Sequence, residues 1–186
     1  MDKENGLPKR KPTRLNGFDY STHGAYFVTI CSENRKNTFS SIVGEGSPLP
    51  QLTKCGEILD RWIQEIPVKY PNVSVDVYVI MPDHVHMLLF LCGDNGRGNP
   101  SPTEKNGIGA KIPAVHSVVG WWKYQVTKEI RKILPWTGEK IFQRSFHDHI
   151  IRNLEDYNEV KKYILENPMR WYYDELHKKE EGFAPM

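Results

Sequence analysis

Two neighbouring stretches constrain this chain more than any other feature. Val73, Val75, Val77 and Val79 alternate with Ser74, Asp76 and Tyr78, the period of two of a strand with unlike faces. After Met81-Pro82-Asp83 comes His84 to Cys92 (HVHMLLFLC), a nearly continuous apolar run that suits a central, buried strand. Proline and aspartate punctuate the junction as a turn. The two runs therefore predict a hairpin whose second strand lies inside a sheet.

The remaining elements surround that hairpin. Ala25 to Ser32 (AYFVTICS) is rich in β-branched and aromatic residues and predicts a first strand. A linker with Gly44, Gly46, Pro48 and Pro50 follows. Leu52, Cys55, Ile58, Leu59, Trp62, Ile63 and Ile66 then recur at three- and four-residue steps, the stripe of an amphipathic helix that Pro67 should end. Gly93 to Pro113 is a long loop by composition, a length that marks functional or disordered segments. Val115, Val118, Val119, Trp122, Val126, Ile130, Ile133 and Leu134 mark a second helix, and Lys140 to Ile151 contains a fourth strand. Asn153 is an N-cap candidate, with Glu155 and Asp156 in the first turn. That third helix should stop near Asn167, because Pro168 discourages continuation. Strand, helix, strand, strand, helix, strand and a terminal helix make an α+β fold, the split β-α-β pattern of a ferredoxin-like sandwich. Its antiparallel sheet carries helices on one face and leaves the other free for a site.

Composition narrows the classes. A length of 186 residues accommodates one domain with a substantial core. Cys31, Cys55 and Cys92 are odd in number, scattered and without a C-x-x-C, which argues against a cysteine zinc site and for reduced thiols in the cytosol. No signal-like or bilayer-spanning apolar run occurs, so a cytoplasmic protein with no membrane role is expected. A net charge of +2 neither requires nor excludes a polyanionic partner. The first sixteen residues are distinctive, with Lys3, Lys9, Arg10, Lys11 and Arg14 against Asp2 and Glu4. Such an arm is either a solvated tail or a set of phosphate contacts.

Three constellations could carry chemistry. His84 and His86 are two apart on a strand, so both rings project from one face with Cα atoms roughly 6.5 Å apart, close enough to share a divalent ion. The competing reading is a packed pair of histidines, which would then need polar partners. His147 and His149 form a second H-x-H and compete for the same ion. Tyr163 and Asn167 are four apart and so stack on one helix face. They could act as nucleophile and metal ligand, or simply as a half-buried aromatic and a helix cap. Arg144 and Arg152 flank the second histidine pair as phosphate contacts or surface ion pairs.

Taken together, Met81-Pro82-Asp83-His84-Val85-His86, the segment Phe142 to Asn153 (FQRSFHDHIIRN) and Tyr163-Ile164-x-x-Asn167-Pro168 occur in this order over about Tyr20 to Pro168. The combination resembles the REP-associated tyrosine transposases, within the single-tyrosine HUH transposase superfamily. The resemblance implies a basic arm at 1–19, a transposase domain at 20–168 and a tail at 169–186. It implies metal ligation by His84, His86 and Asn167, with Tyr163 as the nucleophile and magnesium or manganese as the ion. It also implies single-stranded, hairpin-containing DNA as the partner, a homodimer in some relatives, and a cytoplasmic, nucleoid-associated protein of a bacterial-type cell. His149 and Arg152 match the segment before the tyrosine helix. DNA contacts are expected from Arg144, His149, Arg152, Lys123, Lys9, Arg10 and Lys11, with Lys128, Arg131 and Lys132 nearby and stacking by Trp121, Trp171 or Tyr172.

The implied reaction is transesterification by Tyr163 to a 5′-phosphotyrosine. A non-catalytic single-strand binder and a metal hydrolase using water are the other classes in view. A position near a helix C-terminus would oppose negative charge on the phenol. The chain departs from the family after Pro168, where Met169-Arg170-Trp171-Tyr172-Tyr173 replaces a small residue and glycine, and in the length of its Gly93–Pro113 loop.

Overall fold

A computed structural model describes residues 23–44, 48–92, 112–133 and 139–181, with side chains described as far as residue 176. The basic arm, including Lys9, Arg10 and Lys11, and all but the last two residues of the Gly93–Pro113 loop lie outside the described residues. The principal sheet contains β1 (Gly24–Cys31), β4 (Val73–Ile80), β5 (His84–Leu91) and β6 (His147–Ile151). Their order is β4-β5-β1-β6, with every neighbouring pair antiparallel. This is the expected ferredoxin-like topology, and β5 takes the central position that its apolar run predicted.

Each face of the sheet has its own cover. Tyr26, Val28, Ile30, Val85, Met87 and Leu89 point into a large core with α1 (Lys54–Gln64) and α3 (Val115–Ile133), including Leu59, Ile63, Trp122 and Val126. On the opposite face, Ala25 and Leu88 form a smaller cluster with Ile164 of α4 (Leu154–Glu181), joined by Phe27, Val77, Phe90 and Val160. Burial on both faces explains why β5 alternates so little. At α1 the Thr53 side chain caps the helix by accepting from the Gly56 N–H at 3.1 Å. A Cβ on Gly56 would lie 2.1 Å from the Phe39 carbonyl oxygen, so only glycine lets this helix approach so closely.

Three local expectations need correction. The linker before α1 contains a 3-10 turn (Glu33–Arg35) and a small ribbon of β2 (Ser40–Val43) and β3 (Leu49–Leu52). Short strands with Pro50 inside carry almost no sequence signal, and an edge position tolerates that proline. Pro67 does not end a long helix; α1 stops at Gln64 and Pro67 sits in the first turn of a separate short helix, α2 (Ile66–Lys69).

The third correction matters most. α4 passes through Pro168 and runs 28 residues to Glu181, so residues 169–181 continue the helix instead of forming a separate tail. Pro168 removes the hydrogen bond to the Ile164 carbonyl. Packing offsets that loss, since Ile164, Asn167 and Pro168 are all buried. Asn167 is therefore not a helix cap.

A polar clamp also holds α4 to the sheet. The register of β4 slips between Val75 and Val77, a bulge of the kind that re-aims a side chain, and Asp76 lies there. Its Oδ2 accepts from the Tyr157 hydroxyl at 2.8 Å and from Lys161 Nζ at 3.1 Å.

Candidate active site

Strand register places the site. Directly opposed residues share a face, and β1 opposes His84 with Cys31, His86 with Thr29 and Leu88 with Phe27. β6 in turn opposes Thr29 with His147 and Phe27 with His149. All four histidines thus occupy the face that α4 covers, but the two pairs are separated by β1. His84 and His86 are nearly fully buried, at 7% and 3% exposure.

The two buried rings meet through their outer nitrogens. His84 Nε2 and His86 Nε2 are 3.0 Å apart. An ion holding two imidazole nitrogens at about 2.1 Å each, roughly at a right angle, needs them about 3.0 Å apart. The inner nitrogens are occupied from behind. His84 Nδ1 lies 2.5 Å from Asp83 Oδ1, and His86 Nδ1 lies 2.9 Å from Thr29 Oγ1.

Burial raises the Asp83 pKa, but the hydrogen bond and charge of His84, with Arg35, outweigh it and hold the carboxyl below its usual value. An ionised carboxylate only accepts, so His84 Nδ1 carries a proton and, in the neutral ring, Nε2 offers a lone pair. Burial, then the nearby His84 and Arg35 charges, push His86 down to about 3, which keeps it neutral. The Thr29 hydroxyl can donate to His86 or accept from it. When it donates, His86 Nε2–H can bond to His84; when it accepts, two lone pairs face one another and a cation fits between them. The donor set is therefore suited to a divalent ion.

α4 supplies the other wall. Tyr163, Asn167 and Trp171 follow at four-residue steps and share one helix face. The Tyr163 ring centre is 5.2 Å from that of His86 and 6.0 Å from that of Phe27. Trp171 lies 6.0 Å from His84. Asn167 lies between these two residues on the same helix face and is 7% exposed. Tyr163 retains 37% exposure. Arg170 brings its guanidinium to 5.6 Å from the Tyr163 ring centre and pairs with Glu166 at 3.0 Å. Because α4 extends eighteen residues beyond Tyr163, the expected C-terminal dipole penalty does not apply; it is confined to the last turn.

Other predicted residues lie apart from this centre. His149 Nε2 is engaged by Asp156 at 2.8 Å, so the second H-x-H does not close on the first. Among the described residues no three His, Cys, Asp or Glu side chains converge. Cys31 opposes His84, but burial raises its pKa and keeps it a thiol. Lys123 spends its ammonium on the Gln143 and Arg144 carbonyls at 2.5 and 3.4 Å, which joins α3 to the segment before β6. Trp121 packs on the far side of the sheet against Trp62 and Tyr70. Arg144 and Arg152 are exposed; Arg152 borders an open groove of about 390 Å³ with Ala25, Phe90, Ile151 and Tyr157.

No family model matches the chain. A Haemophilus influenzae protein of uncharacterised activity is 31% identical over 179 residues, covering 92% of this chain and 95% of its own. The two proteins belong to one family. Among solved structures, a REP-associated tyrosine transposase bound to a REP hairpin superposes with a TM-score of 0.52 and 23% identity, over 80% of this chain and 68% of that one. The chain thus resembles that transposase in fold. A transposase candidate from Deinococcus radiodurans covers 83% of this chain and 96% of its own at 14% identity, with a TM-score of 0.45. No helix among the described residues is long and apolar enough to cross a membrane.

Sequence reasoning missed Thr29, Arg35 and Arg170. Thr29 was visible only through strand register. Arg170 is seven residues after Tyr163, the spacing of one helix face, a relation that a helix ending at Pro168 would conceal.

Proposed function

We propose that this protein cuts and rejoins single-stranded DNA by transesterification at Tyr163, with a divalent ion, magnesium or manganese, held by His84, His86 and Asn167. One observation carries the reading: the phenol of Tyr163 packs at 5.2 Å on His86, whose Nε2 faces that of His84 at 3.0 Å. A nucleophile and a cation-binding pair therefore adjoin the same point. The solved transposase of this fold is bound to a REP hairpin, and hairpin-containing single strands are accordingly the substrate class proposed here.

In this reaction Tyr163 Oη bonds to the phosphorus and the bond to the 3′ oxygen breaks. The phenol proton is lost and the 3′ oxygen gains one, giving a 5′-phosphotyrosine and a free 3′-hydroxyl. Reversal onto another 3′-hydroxyl rejoins DNA without an external energy source. The ion, when bound, would polarise the phosphate and offset charge on the leaving oxygen. Asp83 and Thr29 fix the ring orientations. Phe27 and His86 buttress the phenol ring, and Arg170 adds a cation to the same exposed helix face.

The test is a covalent adduct. Full-length protein incubated with hairpin-bearing single-stranded DNA and Mn²⁺ should give a denaturation-resistant conjugate that Tyr163→Phe cannot form. A conjugate that survives this substitution would remove Tyr163 as the nucleophile. Cleavage without a conjugate would indicate a hydrolase using water, and binding without cleavage a DNA-binding module.

A further inference from the structure

The turn after β1 carries a feature that the chemistry above does not use. Asn34 and Arg35 have φ of 56° and 53°, the only non-glycine residues at positive φ among the described residues. Side chains rarely adopt this region, and a residue held there needs surroundings that over-determine it. Such surroundings are present. The Ser32 N–H donates to the Asp83 carbonyl at 2.8 Å, the Thr38 and Phe39 N–H groups donate to the Pro82 carbonyl at 2.8 and 3.0 Å, and the Glu33 N–H donates to the Ile141 carbonyl at 2.9 Å. The strained turn is thereby bound to the Pro82–Asp83 turn that launches His84.

The consequence is the aim of Arg35. Its Nη1 donates to Asp83 Oδ2 at 3.2 Å, while Oδ1 of the same carboxylate holds His84. The Arg35 side chain is still 53% exposed, and this bond uses one of five guanidinium N–H groups. A half-exposed ion pair contributes little by itself, so it does not account for two consecutive left-handed residues. A planar donor fork kept at the edge of a cation-binding pair is suited to a phosphate, which it can bind bidentately.

We propose that Arg35 is a phosphate-binding residue of this site, contacting the DNA phosphate that meets His84 and His86 or the one beside it. The inference rests on the proposed function and adds a sequence-independent substrate contact to it. Asp83 then serves two neighbours at once, orienting the ring of His84 and steadying the guanidinium.

Binding separates this role from a structural one. The affinity of wild type, Arg35→Ala and Arg35→Gln for a hairpin-bearing single-stranded DNA would be measured by fluorescence anisotropy in EDTA across a salt series. Loss of one phosphate contact should reduce the slope of log K against log salt by about 0.7. Arg35→Gln keeps a long polar side chain at the strained position, and a urea-unfolding midpoint close to that of wild type in both variants excludes simple misfolding. Methylphosphonate placed at one position at a time should weaken wild type most at one phosphate, and both variants should be insensitive there. Equal salt slopes and equal phosphate sensitivity in all three proteins would overturn the assignment of Arg35 while leaving the Tyr163 reading intact. Failure of wild type to bind this DNA, or to form the Mn²⁺-dependent adduct with it, would instead remove the reading on which the inference rests.

Discussion

Replacing Asp83 by asparagine tests the construction of the site most directly. The carboxylate is 8% exposed and uses both oxygens, one on His84 at 2.5 Å and one on Arg35 at 3.2 Å. Asparagine has one oxygen and one NH₂ in the same space. If the oxygen faces His84, the NH₂ faces the Arg35 donors; if it is reversed, His84 Nδ1–H loses its acceptor. Either way a charge-assisted bond is lost and the His84 ring is freed to turn or change tautomer. Losing such an outer-shell partner typically weakens metal binding 10- to 100-fold, which corresponds to about 1.4–2.7 kcal/mol. Arg35→Gln breaks only the half-exposed pair and should change Mn²⁺ affinity by no more than about fivefold. Isothermal titration of Mn²⁺ into wild type and both variants at neutral pH measures the difference. Asp83→Asn affinity within about threefold of wild type would refute the argument that this carboxylate orients a metal-ready imidazole.

Other outcomes follow from the same geometry. Tyr163→Phe should abolish adduct formation yet shift urea-unfolding stability by no more than about 0.5 kcal/mol, because it removes only a hydroxyl from a partly exposed ring. Gly56→Ala should destabilise by about 1–3 kcal/mol or more in the same assay, since its Cβ meets a backbone carbonyl at 2.1 Å; wild-type stability would contradict the close approach of α1 to Phe39. In EDTA, stability should fall as pH drops from about 6.5 towards 3. Across that window the unfolded chain binds a proton that buried His86, held to about 3, refuses, a contribution of up to about 1.4 kcal/mol per pH unit. His86→Phe should flatten this limb; an unchanged acid profile would show that His86 is not the group responsible. Asp83 adds a loss at lower pH, because its depressed pKa stabilises the fold above the ordinary carboxylate value and that contribution disappears as pH falls through the lowered one.

The legible part of this protein is what short-range periodicity encodes. The alternation of Val73 to Val79 and the apolar run from His84 identified the hairpin, and the spacing of Val118, Trp122 and Val126 identified α3, because side-chain direction in a strand or helix depends on neighbours a few residues away. Features without a repeat were not legible. β2 and β3 are four residues each, too short for a pattern to rise above chance. Pro168 has a real local preference against helix, and only the burial of Ile164 and Asn167 on the sheet side of α4 shows how it is overridden.

The site divides along the same line. His84 and His86 share a face by strand spacing alone, and Tyr163 and Asn167 share a face by helix spacing alone. Nothing local states that the two faces meet, or that His147 and His149, equal to the first pair in spacing, are set aside. Tertiary structure decided both. Pairing of β1 between β5 and β6 places one strand between the two histidine pairs, and Asp156 engages His149. The bulge at Asp76 and the clamp to Tyr157 and Lys161 then hold α4 across β5, so that Tyr163 reaches His86. Thr29, Asp83 and Arg35 act on the histidines through register, a turn and a strained loop, all of which take shape only when segments distant in sequence are packed together.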